Sequence, residues 1–293
     1  WMIYIGLTVA ETLLLMAGGM NIFDALTHTF GTLATGGFSP KNASVGHYQS
    51  PFIDGVITFF MLMAGINFAI HYRMLTGNFK SIFKDTEFKA FVLIFLSATA
   101  VITLSLYNSV PTSFLHCLQL SGFQAASILT TTGYATADFE QWPSLARMAL
   151  FILMFVGGCS GSTGGGIKVI RIVTLLKQAF NEMRLLMHPR GVFTLKISET
   201  AIRKNVVYAI SGFFFLYIAM LLVVSFVVAF SGQDIITSLT TALATVGNIG
   251  PGFGNIGPTE NYSFYPGYVK WVLSFSMLAG RLELYTCLLY TSD

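Results

Sequence analysis

The chain has 293 residues, of which 54% are hydrophobic and only 10% charged, with a mean hydropathy of +0.69. Soluble domains carry about 25% charged residues, so this composition excludes an ordinary water-soluble domain and points to a chain that lives in lipid. The net charge of +3 gives no basis for nucleic-acid binding, and Cys117, Cys159 and Cys287 offer neither a disulfide framework nor paired metal spacing.

Trp1 to Met20 is an apolar run long enough for a hydrocarbon core of about 30 Å. It opens without a basic leader, so the numbering is expected to begin inside a longer protein. Asn21 to Leu33 is shorter and mixed, with Asp24, Thr27 and His28, which suits a half-length helix. After a polar stretch from Pro40 to Pro51, Phe52 to Leu75 reads as one span, interrupted by Gly65, Asn67 and His71. Gly77 to Lys89 is polar, with Lys80, Lys84 and Lys89 set against Asp85 and Glu87. Phe88 to Tyr107 crosses again, and Thr112 to Thr131 gives a second half-length helix, followed by Asp138 and Glu140.

Pro143 opens the next helix, in the first turn where proline is tolerated. Ser144 to Val156 then rises only about 20 Å before the run Gly157-Gly158-Cys159-Ser160-Gly161-Ser162-Thr163-Gly164-Gly165-Gly166. Helical periodicity resumes from Ile167 to Met187. The glycine run is therefore placed near mid-membrane, where unwound backbone is tolerated only if it lines water or is buried in protein. Val206 to Phe230 crosses, Asp234 to Thr245 is a third half-length helix, and Asn248 to Tyr262 is a glycine-rich exit. The last predicted span, Tyr265 to Leu289, carries Arg281 and Glu283.

One phrase recurs after each half-length helix. The copies are Thr32-Leu33-Ala34-Thr35-Gly36-Gly37-Phe38-Ser39, Leu129-Thr130-Thr131-Thr132-Gly133-Tyr134-Ala135-Thr136 and Leu243-Ala244-Thr245-Val246-Gly247-Asn248-Ile249-Gly250. Their separation, roughly 100 residues, indicates a repeated unit. Aligned on Gly36, Gly133 and Gly247, each copy places Thr or Val directly before glycine. Glycine opens dihedrals closed to other residues, so successive carbonyls can point one way. Rings of such carbonyls replace the hydration shell of potassium in channel filters. Thr35, Thr132 and Val246 would then set the loop spacing, and each half-helix would aim its negative carboxyl end at the pore centre.

The stretches "GTLATGGFSP", "GINFAIHY", "TTTGYATADF", "GGCSGSTGGGIKVIR", "ATVGNIGPGFG" and "MLAGRLE" together resemble the potassium-translocating subunit of the Trk/Ktr/HKT superfamily, in its bacterial TrkH form. The resemblance implies an all-α polytopic membrane protein of repeated helix–pore loop–helix units around one ion pore. The family has four such repeats. This chain matches three, over 1–79, 80–196 and 197–293, with the first repeat absent. The implied function is potassium uptake (with rubidium) in preference to sodium. The implied filter comprises Thr35, Gly36, Gly37, Thr132, Gly133, Tyr134, Val246, Gly247 and Asn248. Potassium is the transported ion, and no organic cofactor is expected.

The glycine run resembles the family's intramembrane loop below the filter, which assigns gate roles to Gly157, Gly158, Gly161, Gly164, Gly165, Gly166 and Lys168. Arg281 matches the family's arginine in the last helix. A mid-membrane charge usually faces a bundle interior or water, so Arg281 is expected under the filter; its plainer alternative is pairing with Glu283 or with helix carbonyls. The resemblance also implies a homodimer in the bacterial cytoplasmic (inner) membrane and a cytosolic nucleotide-binding regulatory ring of TrkA type. Lys177, Arg184, Arg190, Lys196, Arg203 and Lys204 form a candidate docking surface for that ring. Short basic connections stay cytoplasmic, so the filters are expected to face outward beside Asp54, Asp138, Glu140 and Glu260. The tail "YTCLLYTSD" departs from the family and is given no function.

Competing readings are weaker. "GSTGGGIK" lacks the adjacent Gly-Lys followed by Ser or Thr of a phosphate-binding loop, because Ile167 intervenes and Val169 follows Lys168. His28, His47, His71, His116 and His188 show no metal-ligand spacing. No nucleophile–base–orienter grouping suggests an enzyme. An ion-coupled secondary transporter of a small solute also carries broken helices, and is the main alternative.

Overall fold

The computed structural model describes residues 1–77, 84–109, 111–191, 193–198 and 200–283. Lys80, Glu199, Cys287 and the tail from 285 onward, all named above, lie outside the described residues. The helices are α1 (Met2–Ala17), α2 (Ile22–Leu33), α3 (Pro51–Gly65), α4 (Phe68–Leu75), α5 (Thr86–Tyr107) and α6 (Phe114–Leu129). They continue with α7 (Ser144–Val156), α8 (Val169–Met187), α9 (Lys204–Phe230), α10 (Ile235–Val246) and α11 (Gly267–Arg281). A two-stranded antiparallel hairpin, β1 (Lys196–Ile197) and β2 (Thr200–Ala201), interrupts the basic connection before α9. Apart from it the chain is an all-α polytopic membrane protein.

The three half-length helices are started by one device. Asn21, Ser113 and Asp234 each accept a hydrogen bond from a backbone N–H in the first turn, that of Asp24, His116 and Thr237 respectively. Their buried threonines turn inward on the helix itself. Thr32 donates to His28 O at 2.8 Å and Thr245 to Thr241 O at 2.7 Å. Each hydroxyl is thus satisfied without water, as a site enclosed by protein requires.

Helices α5 and α9 are long and apolar enough to cross a membrane. The stretch from Phe52 to Leu75, expected as a span interrupted at Gly65 and Asn67, is a pair of helices, α3 and α4, that meet at a bend of 101°. The chain turns extended at Ile66, and Asn67 caps α4 by accepting from Ala69 N at 2.8 Å. The α3 carbonyls freed by the break are taken up by the glycine run. Cys159 N donates to Gly65 O at 2.9 Å and Thr163 N to Ala64 O at 3.4 Å. One broken helix therefore satisfies another.

Each half-length helix packs on a preceding helix, α2 on α1, α6 on α5 and α10 on α9, while α3 lies on α6 and α5 on α7. A continuous apolar core runs through Phe91, Leu129, Met154, Phe213, Tyr217 and Phe253. Lipid is as apolar as these side chains, so their contribution is close packing rather than escape from water.

Candidate functional site

Each half-length helix ends in the same backbone turn. Gly36 N and Gly37 N both donate to Gly31 O, at 2.7 and 3.2 Å. Thr132 N and Gly133 N do the same to Ser127 O at 2.9 and 3.3 Å, and Ile249 N and Gly250 N to Ala244 O at 2.8 and 3.5 Å. Positive φ follows the same register: Thr35 (51°) and Gly37 (67°), Thr131 (58°) and Gly133 (87°), Asn248 (55°) and Gly250 (103°). The equivalent glycines are therefore Gly37, Gly133 and Gly250. This corrects the alignment on Gly36, Gly133 and Gly247. Gly247 is the cap residue of α10, in right-handed helical conformation.

The loops meet backbone to backbone. A Cβ on Gly37 would collide with the Thr132 carbonyl, and one on Gly133 with the Ile249 carbonyl. Two cavities lie on either side of this contact, one of about 950 Å³ and one of about 220 Å³. Gly37, Phe38, Gly133, Gly250 and Tyr262 line both, so the three glycines stand at the neck between them.

Of the sequence-predicted filter residues, Thr35, Gly36, Gly37, Thr132, Gly133 and Asn248 line the larger cavity. Tyr134, Val246 and Gly247 do not. Tyr134 is 0% exposed, and its hydroxyl donates to His28 O at 3.0 Å and Phe38 O at 3.2 Å. It braces the first loop against the second from behind. Its phenol fits because position 31 is glycine: a Cβ there would collide with the Tyr134 hydroxyl. Val246 is buried with its carbonyl packed on Gly280 of α11, and the Gly247 carbonyl faces Gly165.

The glycine run lies directly against the ends of all three loops. Thr35 Oγ1 donates to Thr163 O at 2.8 Å, and Gly165 N donates to Thr131 Oγ1 at 2.7 Å. A Cβ on Gly164 would stand 3.2 Å from Thr130 O. Gly157, Gly161 and Gly166 have φ of 78°, 72° and 74°, which only glycine adopts freely. Lys168 shares that strained region at 77°. Glu87, read in the sequence only as one charge of a polar connection, is buried and ties the run to the first turn of α8. Its Oε1 accepts from Ser160 N at 2.6 Å and from Ile170 N at 3.2 Å. Nothing in the local sequence marks it, because its partners lie more than one helix away.

Arg281 reaches the first loop. It donates to Ala34 O at 2.8 Å and to Thr35 Oγ1 at 3.4 Å. The plainer alternative is thus partly realised, since Ala34 caps α2. Glu283 accepts from Lys168 at 2.9 Å and Arg171 at 2.6 Å. Thr163, Gly164, Gly165, Lys168, Arg281 and Glu283 line a further cavity of about 230 Å³.

Of the acids expected at the outer mouth, Asp54 is buried and accepts from Gln119 at 2.8 Å. Glu140 is spent on Gly254 N at 2.6 Å. Both serve as structural ties. Asp138 caps the short turn at Phe139–Gln141. Glu260 lines the smaller cavity. His28 sits between Asp24 O and Ser39 Oγ, at 2.7 and 3.0 Å, and His71 on Met63 O at 2.8 Å. No cluster of three metal-ligating side chains occurs among the described residues.

A family profile described as "TrkH: Cation transport protein" matches residues 1–292. The chain belongs to the TrkH family. Within it, the chain is 38% identical over 290 residues to the Trk system potassium uptake protein TrkH of Escherichia coli (strain K12), covering 98% of this chain and 60% of that protein. It is 40% identical over 292 residues to the TrkH protein of Halomonas elongata, covering 98% and 59%. The crystal structure of the potassium transporter TrkH from Vibrio parahaemolyticus superposes with a TM-score of 0.93 at 37% identity, over 100% of this chain and 63% of that one. The chain therefore spans 60% of the length of TrkH relatives such as the E. coli protein.

Proposed function

We propose that the chain supplies three of the four repeats of a potassium uptake pathway across the bacterial cytoplasmic membrane, over 1–79, 80–196 and 197–293. The observation that carries this is the identical turn at Gly37, Gly133 and Gly250, met at a neck between two cavities. Removing an ion's water costs tens of kcal/mol unless something replaces it. Backbone oxygens of the three loops would replace it, aided by the negative ends of α2, α6 and α10. Potassium is the ion that the relatives' names give. In this reading the filter comprises the loop residues that line the neck, with Gly250 taking the place first given to Gly247. A further unit, from outside this chain, completes the ring.

The run from Gly157 to Gly166, with Lys168 and Arg281, acts as the gate in the same reading. It lies against the loop ends on the side of Arg281, whose charge opposes cations there. The loops face outward and the basic connection from 177 to 204 faces the cytosol, where a nucleotide-binding ring of TrkA type would dock. The assembly is a homodimer. An ion-coupled transporter of a small solute would use broken helices, but has no need for one turn repeated in three loops.

The test is growth of a potassium-uptake-deficient bacterium at low external potassium. The chain is expressed with the N-terminal segment of the Vibrio parahaemolyticus relative placed before residue 1. Growth is expected, and Gly133→Asp is expected to abolish it. Growth that survives Gly133→Asp overturns the reading.

A further inference from the structure

Two tyrosine hydroxyls act on the three loops, and they do so differently. That of Tyr134 works from behind, on carbonyls of α2 and Phe38. That of Tyr262 works at the neck itself. Its Oη donates to the carbonyl of Gly250, the third neck glycine, at 2.5 Å. Tyr262 lines the cavities on both sides of the neck. Its ring lies 6.0 Å from that of Tyr265, while the Tyr265 hydroxyl is bonded away from the neck, to Thr241 of α10 at 2.7 Å.

The third loop also has the longest of the three neck-glycine hydrogen bonds. The N–H of its neck glycine lies 3.5 Å from the carbonyl it shares, against 3.2 and 3.3 Å in the other two. Pro251 follows it and has no N–H to add. In the second loop, by contrast, the next carbonyl, that of Tyr134, is held by Ser127 Oγ at 2.6 Å. The Tyr262 hydroxyl is thus a side-chain tether that the third loop has in addition to its backbone hydrogen bonds.

We propose that Tyr262 is a specificity-determining residue of the pathway, setting how strongly the Gly250 carbonyl can serve an ion. This rests on the reading above that the neck glycines coordinate cations. A carbonyl oxygen has two lone pairs. A short phenol bond engages one, fixes the direction of the other, and lowers the field that the oxygen presents. A weaker field favours the larger ions, whose hydration is easier to replace, and disfavours sodium. The field and number of carbonyl dipoles are among the quantities that set such selectivity.

The experiment uses the chain preceded by the N-terminal segment of the Vibrio parahaemolyticus relative, reconstituted in proteoliposomes. Uptake of rubidium and of sodium is measured in competition with potassium. Tyr262→Phe is expected to lower the potassium-over-sodium ratio by about threefold or more, the scale of one lost hydrogen bond. Tyr265→Phe, which loses a hydroxyl bonded away from the neck, is expected to leave the ratio at the parent value. Should Tyr262→Phe fold poorly, 3,5-difluorotyrosine at 262, compared with the parent at an acidic pH where the more acidic phenol stays protonated, keeps the shape and donates more strongly, and is expected to raise the ratio. A ratio that moves less than this in Tyr262→Phe, or equally in Tyr265→Phe, or downward with difluorotyrosine, overturns the proposal. Gly133→Asp in the same preparation separates the two levels. Its loss of uptake with an unmoved Tyr262→Phe ratio removes only the role of Tyr262, whereas retained uptake removes the filter reading as well.

Discussion

Thr35 and Thr131 occupy the same place in two successive loops, and each uses its side-chain oxygen to hold the glycine run. Thr35 donates to Thr163 O at 2.8 Å, and Thr131 accepts from Gly165 N at 2.7 Å. The loop ends and the run are thereby one hydrogen-bonded unit. A run that moves must break both bonds.

Thr131→Ala removes the acceptor for Gly165 N and leaves the first bond in place. A hydrogen bond of this kind is worth about 1 kcal/mol net, which shifts a two-state equilibrium by roughly fivefold. Rubidium flux through the N-terminally completed protein is expected to rise by about that factor, and Thr131→Ser is expected to restore the parent rate. Flux that stays flat or drops in well-folded Thr131→Ala protein would contradict a gate held at this point.

Arg281 places a cation against the base of the first loop, 2.8 Å from Ala34 O. Arg281→Ala is expected to raise flux by on the order of tenfold at low salt, since a unit charge a few ångströms from a largely hydrated path opposes a passing cation by about 1–2 kcal/mol. Arg281→Lys keeps the charge without the planar fork and should stay near the parent rate. A role confined to bracing Ala34 predicts instead that both variants lose thermal stability together and neither gains flux.

The corrected register makes neighbouring glycines unequal. At Gly36 a Cβ would meet nothing closer than a Phe38 ring carbon at 3.4 Å, an ordinary contact. Gly36→Ala is therefore expected to keep uptake, with a stability change of about 0.5 kcal/mol or less. At Gly133 a Cβ would run into the Ile249 carbonyl, at a φ of 87°. Gly133→Ala is expected to abolish uptake and to cost about 1–3 kcal/mol in backbone strain alone. Thermal unfolding and potassium uptake of the two variants decide it; an inactive Gly36→Ala would return the register to the sequence alignment.

The sequence by itself determined the class of protein and the order of its helices. Composition demands lipid, and local apolar patterning with polar caps at Asn21, Ser113 and Asp234 fixes where short helices begin. The helix Ser144–Val156 and the glycine run after it were legible for the same reason: both are properties of consecutive residues. Only the tertiary structure decided which glycines are equivalent. The residues that close α2, α6 and α10 are Ala34, Thr130 and Gly247, of three different types, so matching letters aligned the wrong positions while the hydrogen bonds to Gly31, Ser127 and Ala244 align the right ones. The same holds for Glu87, Tyr134 and Tyr262. Glu87 and Tyr262 look like a solvated charge and a loop ring in their own stretches, Tyr134 is expected in the filter itself, and each acquires its role from backbone groups brought to it by other elements. Backbone polar groups inside a membrane protein must find partners wherever the fold supplies them, and that supply is set in three dimensions.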